Sequence, residues 1–264
     1  MQELQLISTG KVMTGGTTKP FIISALNEAG YVEEYIVKAF TEKQLAQNAS
    51  VAKEIIVCEL AKMFDITIPE YGIINCAVED LERVYEGDSE RIKSLDLGAK
   101  FCSKFMKQYP IFTNVTSKSY LEEYEILNIF AFDVLIYNVD RGGHRNKPNL
   151  LINDKELIII DHELTFPFII SNYTHIDYEK YLITYQYKKH VLLKYIKQLK
   201  KEKRVFHEFL ENLKNLNINE LGKIFDKLDY YQIHYFDRNF FMNYLIWAKN
   251  NVSIFERYLT AMTK

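Results

Sequence analysis

Residues Leu135 to Phe166 read LIYNVDRGGHRNKPNLLINDKELIIIDHELTF. An Asp-Arg pair, Asp140 and Arg141, precedes an Asn-Leu-Leu strand, a short turn and a second strand that ends in Asp-His. Two strands joined by a tight turn bring their outer ends together, and Asn149 and Asp161 lie equally far from a turn centred near Lys155. An amide and a carboxylate are thereby expected to face one small volume. Asp140, at the end of a strongly apolar helical run, is placed to aim a second carboxylate at the same place. This donor set suits a magnesium-nucleotide site, because Mg²⁺ takes one or two protein oxygens and completes its shell with phosphates and water. A neighbouring Asp then orients an attacking hydroxyl, so Asp140 is the expected catalytic residue, with Asn149 and Asp161 as metal ligands. Asn146 is the alternative metal amide, closer to Asp140 in sequence; Asn149 is preferred because it opens the strand and is placed by the hairpin.

Working outward, the residues before this segment look mixed and those after it helical. PFIISAL and YIVKAF are short β-branched runs separated by NEAG, so Pro20–Leu26 and Tyr35–Phe40 are expected to pair as a hairpin. Ser50 can cap a helix running to about Phe64, Pro69 stops it, and strands are expected at Tyr71–Cys76 and Ala99–Met106. Tyr120–Tyr137 reads as a buried helix, and from about Tyr185 the pattern is helical almost throughout. The expected fold class is α+β: a two-lobed, protein-kinase-like fold with a small antiparallel sheet and a helix in residues 1–106. Residues 107–264 would form a mostly helical second lobe carrying the catalytic hairpin.

Lys38 ends the strand YIVKAF, and on the following helix Glu54 shares a face with Val51, Cys58 and Ala61, so its carboxylate points inward. Unpartnered buried charge costs several kcal/mol, which makes the two more plausible together than apart. A Lys-Glu pair of this kind holds an ammonium against nucleotide phosphates. Gly15, Gly16 and Thr17 precede the first strand of the hairpin, and glycine amides with hydroxyl donors can cover an anion. They match neither GxxxxGK[ST] nor GxGxxG. Lys188, Lys189, Lys194, Lys197, Lys200, Lys201, Lys203 and Arg204 form the one basic concentration and alternate with Val191, Leu192, Tyr195, Ile196 and Leu199 as an amphipathic helix. Such a face is usually solvated; an acidic partner or RNA is the functional alternative.

The 264 residues, 48% apolar and 14% aromatic, suffice for a substantial core, and the formal charge of -2 gives no global attraction to nucleic acid or to an anionic membrane. Direct binding of nucleic acid is therefore not expected. The start MQELQLISTG has no basic segment leading into an apolar run, and no stretch stays apolar for the ~18 residues a membrane span needs, so a cytoplasmic protein is expected. Cys58, Cys76 and Cys102 are odd in number and set among apolar residues, as reduced core thiols are.

Lys38, Glu54 in the run AKEIIVCELAKMFDITIPE, FCSKF at 101–105, NVDRGGHRNKPNLLI and IIIDH together resemble the HipA-like kinases, relatives of the phosphatidylinositol kinases and distantly of protein kinases. The resemblance runs from about Gly10 to Phe166. It implies ATP and Mg²⁺ as cofactors, Lys38 on the α and β phosphates, Glu54 orienting Lys38, Asp140 as the catalytic-loop aspartate, and magnesium on Asn149 and Asp161. FCSKF would lead into the hinge that receives adenine. Two departures stand out: GGHRNKP lengthens the loop after the aspartate, and the chain is too short for the extra amino-terminal subdomain of the larger HipA toxins, so it resembles the compact, stand-alone branch. The expected reaction is transfer of a γ-phosphoryl group to a hydroxyl, that of a protein serine or threonine first. A small-molecule or lipid kinase and a catalytically silent nucleotide-binding interaction module are the alternatives. A protein substrate is the expected partner, with an antitoxin-like or regulatory protein as a second.

Overall fold

The computed structural model of the chain describes residues 1–14, 18–113, 121, 124–142, 147–169, 176–203 and 205–264. They form two compact units. The first comprises Met1–Ile55, Pro69–Lys107 and Phe225–Tyr235; the second comprises Ile56–Ile68, Gln108–Ile224 and Phe236–Lys264. Among the described residues no helix is long and apolar enough to cross a membrane.

The first unit is built on a six-stranded sheet in the order β1-β5-β6-β4-β3-β2, with β1 Gln2–Glu3, β2 Gln5–Val12, β3 Phe21–Leu26, β4 Val32–Lys38, β5 Tyr71–Ile74 and β6 Lys100–Lys104. The expected hairpin is β3–β4, in register Phe21↔Val37 to Leu26↔Val32, closed by Asn27, whose Oδ1 accepts from the amides of Ala29 and Tyr31. The sheet is larger than expected, and β1 pairs with β5 in parallel rather than antiparallel fashion. Phe21, Ile23 and Ala25 of β3 alternate with less buried neighbours and join Tyr35 and Val37 of β4 in one core. Each such large apolar side chain contributes about 1.5–3 kcal/mol on burial. Helix α1, Glu42–Asn48, was not anticipated; Thr41 caps it by a reciprocal box with Gln44. Ala49, left-handed at φ 48°, ends α1 directly before α2, Ser50–Met63, so Ser50 is the first residue of that helix. Helices α3, Val78–Val84, and α4, Ser89–Ser94, fill the connection from β5 to β6.

The second unit contains α5, Ile126–Leu135, almost wholly buried, and the hairpin β7, Leu150–Ile152, with β8, Leu157–Ile159. The hairpin turns on Asn153, whose Oδ1 accepts from the amides of Lys155 and Glu156. Around them stand α6 Tyr178–Ile183, α7 Leu193–Ile196, α8 His207–Asn215, α9 Ile218–Tyr230 (of which Phe225–Tyr230 belong to the first unit), α10 Arg238–Asn250 and α11 Val252–Met262. Phe64 packs on Phe132 of α5 and Phe209 of α8 at 5.5 and 5.3 Å. The long basic amphipathic helix expected from Lys188 onward is absent. The segment is broken into 3₁₀ turns at Tyr187–Lys189 and Lys201–Lys203 and the four-residue α7. Tertiary bonds explain the break: Val191 gives its amide to Arg141 O at 3.1 Å, and the His190 ring turns inward to Asp133.

Candidate active site

Asp133 is a carboxylate inside the apolar helix α5, fully buried, and everything near Asp140 is organised around it. Its Oδ1 accepts from Asn138 Nδ2 at 2.8 Å and from Arg141 at 3.2 Å; its Oδ2 accepts from Arg141 Nε at 2.8 Å and from His190 Nε2 at 2.9 Å. Burial alone would raise its pKa, but the Arg141 guanidinium and the His190 ring overcome that and hold it well below the usual carboxylate range. The tautomer of His190 follows from its partners. Leu192 donates its amide to Nδ1 at 3.2 Å, so Nδ1 is the acceptor and Nε2 carries the proton given to Asp133. Burial lowers the His190 pKa in spite of that carboxylate, so the ring is neutral.

From this base the chain is led to Asp140. Asn138 accepts the Asp140 amide on Oδ1 at 3.0 Å, and Tyr185, whose phenol burial keeps protonated, donates to Asn138 O at 2.9 Å. Arg141 then reaches the hairpin, donating to Ile160 O at 3.1 Å and to Asn149 O. One buried guanidinium thereby ties α5, the loop after it and the open end of β7–β8 together. The planar fork of arginine makes this feasible where a lysine ammonium could not.

Asn149 and Asp140 meet. Asn149 Nδ2 donates to Asp140 Oδ2 at 3.1 Å and to Asp140 O at 3.2 Å. Both partners are pure acceptors, which fixes the amide orientation and leaves Asn149 Oδ1 as its acceptor for another group. Ile160 donates its amide to Asn149 O at 3.1 Å, so Asn149 and Asp161 stand at the same open end of the hairpin, offset by one residue from the symmetric placement expected. Both are left-handed, at φ 46° and 65°, a conformation that Asn and Asp tolerate better than other side-chain-bearing residues and that recurs where a site imposes it. The oxygen donors here, an amide carbonyl and a half-buried carboxylate, are the hard ligands a magnesium ion takes, so the residues present fit that ion. Asp140 also lines a cavity of about 410 Å³ with Asn138, Thr184, Gln186 and Lys189.

In the first unit Lys38 and Glu54 form the expected ion pair, with side chains only 13% and 1% exposed. Lys38 lies opposite Phe101 of β6, which places FCSKF on the adjoining strand. Gly15, Gly16 and Thr17 lie outside the described residues, as does Asn146, so the geometry bears on Asn149 alone of the two amides. Sequence reasoning named Arg141 without a role and passed over Asp133, Asn138 and His190. A lone acid in IFAFDVLIY was the available signal, since a buried carboxylate implies a buried donor.

The model of the HipA-like kinase family matches residues 7–230. This chain belongs to the HipA-like kinases. No curated protein matches it significantly. Among solved structures, the Helicobacter pylori proinflammatory kinase CtkA aligns over 97% of both chains with a TM-score of 0.50 at 11% identity. The open conformation of CtTel1 aligns over 93% of this chain and 11% of its own, with a TM-score of 0.34 at 12% identity; the FAT and kinase domain of CtTel1 gives 0.32 at 11%, over 93% and 20%. The likeness to CtkA shows the fold of this HipA-like kinase to be protein-kinase-like.

Proposed function

We propose that this HipA-like kinase transfers the γ-phosphoryl group of ATP to a hydroxyl of a protein serine or threonine, with Mg²⁺ required. The observation that carries the reading is the pairing of Asp140 with Asn149 at the wall of a cavity large enough for a small acceptor side chain. Asp140 orients the acceptor hydroxyl and takes its proton as the oxygen bonds to phosphorus and the bond to the ADP oxygen breaks. Asn149 and Asp161 would hold the metal, which when bound neutralises charge on the phosphates. Asn149 Nδ2 keeps the Asp140 carboxylate turned to one rotamer, and Arg141 and Asp133 keep the backbone under both residues in place. Lys38, steadied by Glu54, is assigned to the α and β phosphates, and Gly15, Gly16 and Thr17 to covering them. Cys58, Cys76 and Cys102 are buried and outside any disulfide, in keeping with a reducing cytoplasm.

The test is an acceptor profile. Purified protein with γ-labelled ATP and Mg²⁺ is offered serine/threonine peptides, phosphoinositide vesicles and aminoglycosides, beside a folded Asp161→Ala control. Label on peptide that vanishes in the control is expected. Transfer to lipid or aminoglycoside alone moves the chain to another acceptor class, and turnover by Asp161→Ala removes Asp161 from the site.

A further inference from the structure

A second cavity, of about 610 Å³, adjoins the one at Asp140. It is lined by Gly142, Pro148, Lys188, Lys189, Lys194 and Lys197, among others, and shares Lys189 and His190 with the Asp140 cavity. Four lysines converge here on a chain whose formal charge is -2, so the cluster is not a by-product of a basic surface. All four side chains are exposed. The wall is not a loose loop. Val191 donates to Arg141 O at 3.1 Å, and His190 shares Asp133 with Arg141, so the lysine segment is fastened to the same buried carboxylate that positions Asp140. Gly142, at φ +83°, permits this contact: a Cβ there would lie 2.9 Å from Val191 Cβ.

We infer that the lysine-lined cavity receives acidic residues that flank the phosphorylated serine or threonine of a protein substrate. The proposal rests on the function proposed above and names its substrate class. A peptide whose hydroxyl enters the Asp140 cavity continues past Lys189, and four ammonium groups on that path favour Asp and Glu in the adjoining residues and disfavour Lys and Arg. Exposed ammonium groups act additively and are screened by salt, so the preference is strongest at low ionic strength.

The experiment is fluorescence anisotropy with three labelled peptides that share one serine and carry Glu, Gln or Lys around it, at low and high salt. The Glu peptide is expected to bind the wild-type protein at least about tenfold more tightly than the Gln peptide, with the gap closing at high salt. Lys188→Glu combined with Lys189→Glu should abolish that preference without lowering the melting temperature, because both positions are exposed. Asp140→Ala should keep it, since binding is read without transfer. Equal binding of the Glu and Gln peptides overturns the inference, as does an RNA oligonucleotide that displaces the Glu peptide with tighter affinity. The two proposals fail separately. Acidic-peptide preference in a protein that transfers no phosphate supports the cavity and refutes the kinase reaction; transfer with equal KM for Glu and Gln peptides does the reverse.

Discussion

Replacing Arg141 by methionine isolates the element on which the site is hung. The guanidinium is 1% exposed and donates to Asp133 Oδ2 at 2.8 Å, Asp133 Oδ1 at 3.2 Å, Ile160 O at 3.1 Å and Asn149 O. Methionine preserves much of the length and removes every donor. Breaking a buried ion pair from one side costs about 3–5 kcal/mol, and a buried carbonyl left without its donor adds about 1 kcal/mol or more. Asp133 keeps Asn138 and His190, which brings the sum towards its lower end, about 4 kcal/mol. For a domain of roughly this size each kcal/mol moves the melting temperature by about 2–4 °C, so a fall of roughly 8–16 °C is expected. The loss has a sign in pH. Without the guanidinium, burial dominates and lifts the folded pKa of Asp133 above its unfolded value, so the variant is penalised increasingly as pH rises past that value. Thermal melts by circular dichroism should therefore show the larger deficit near pH ~8 and the smaller near pH ~5. A fall under about 3 °C, or one independent of pH, would refute the reasoning.

Burial lowers His190 below its ordinary value of 6.5, so the stability it contributes is complete above that pH and is lost as pH falls through the folded value; Asp133, also lowered, adds its loss only below about pH 4. Wild-type melting temperature should begin to drop below about pH 6.5, and His190→Gln, which cannot titrate, should be less stable at neutral pH but flatter across that window. Gly142→Ala should cost about 1–3 kcal/mol from its positive φ and the contact with Val191, read by denaturant unfolding together with faster hydrogen exchange at the Val191 amide. Glu54→Gln keeps the size but not the charge that faces Lys38, and should weaken ATP binding roughly tenfold in calorimetry with little change in fold; unchanged affinity would separate the pair from the nucleotide.

What could be read from the chain was what local pattern encodes. The β-branched runs PFIISAL and YIVKAF marked the strands of the β3–β4 hairpin, although β4 starts earlier, at Val32, and ends at Lys38; hairpin symmetry brought Asn149 and Asp161 to the open end of β7–β8 one residue out of register, and the helical face of Glu54 pointed to Lys38. Helix α1 was legible but unread, since Thr41 and Gln44 spell its capping box. Asp133 was half legible: a carboxylate in an apolar helix demands a donor, and Arg141 lies eight residues on. His190 was not, because its bond to Asp133 spans 57 residues and depends on tertiary placement. The same placement defeated the periodicity after Lys188, where the bond to Arg141 O and the buried imidazole outweigh helical propensity.

Single-turnover transfer from γ-labelled ATP by wild-type protein and by Asp140→Ala, both shown to melt cooperatively and to bind ATP, tests the catalytic assignment most directly. Asp140→Ala should bind nucleotide normally and lose transfer by about 10²–10⁴-fold. A rate within about threefold of wild type would mean that the carboxylate held by Asn149 is not the group that handles the acceptor proton.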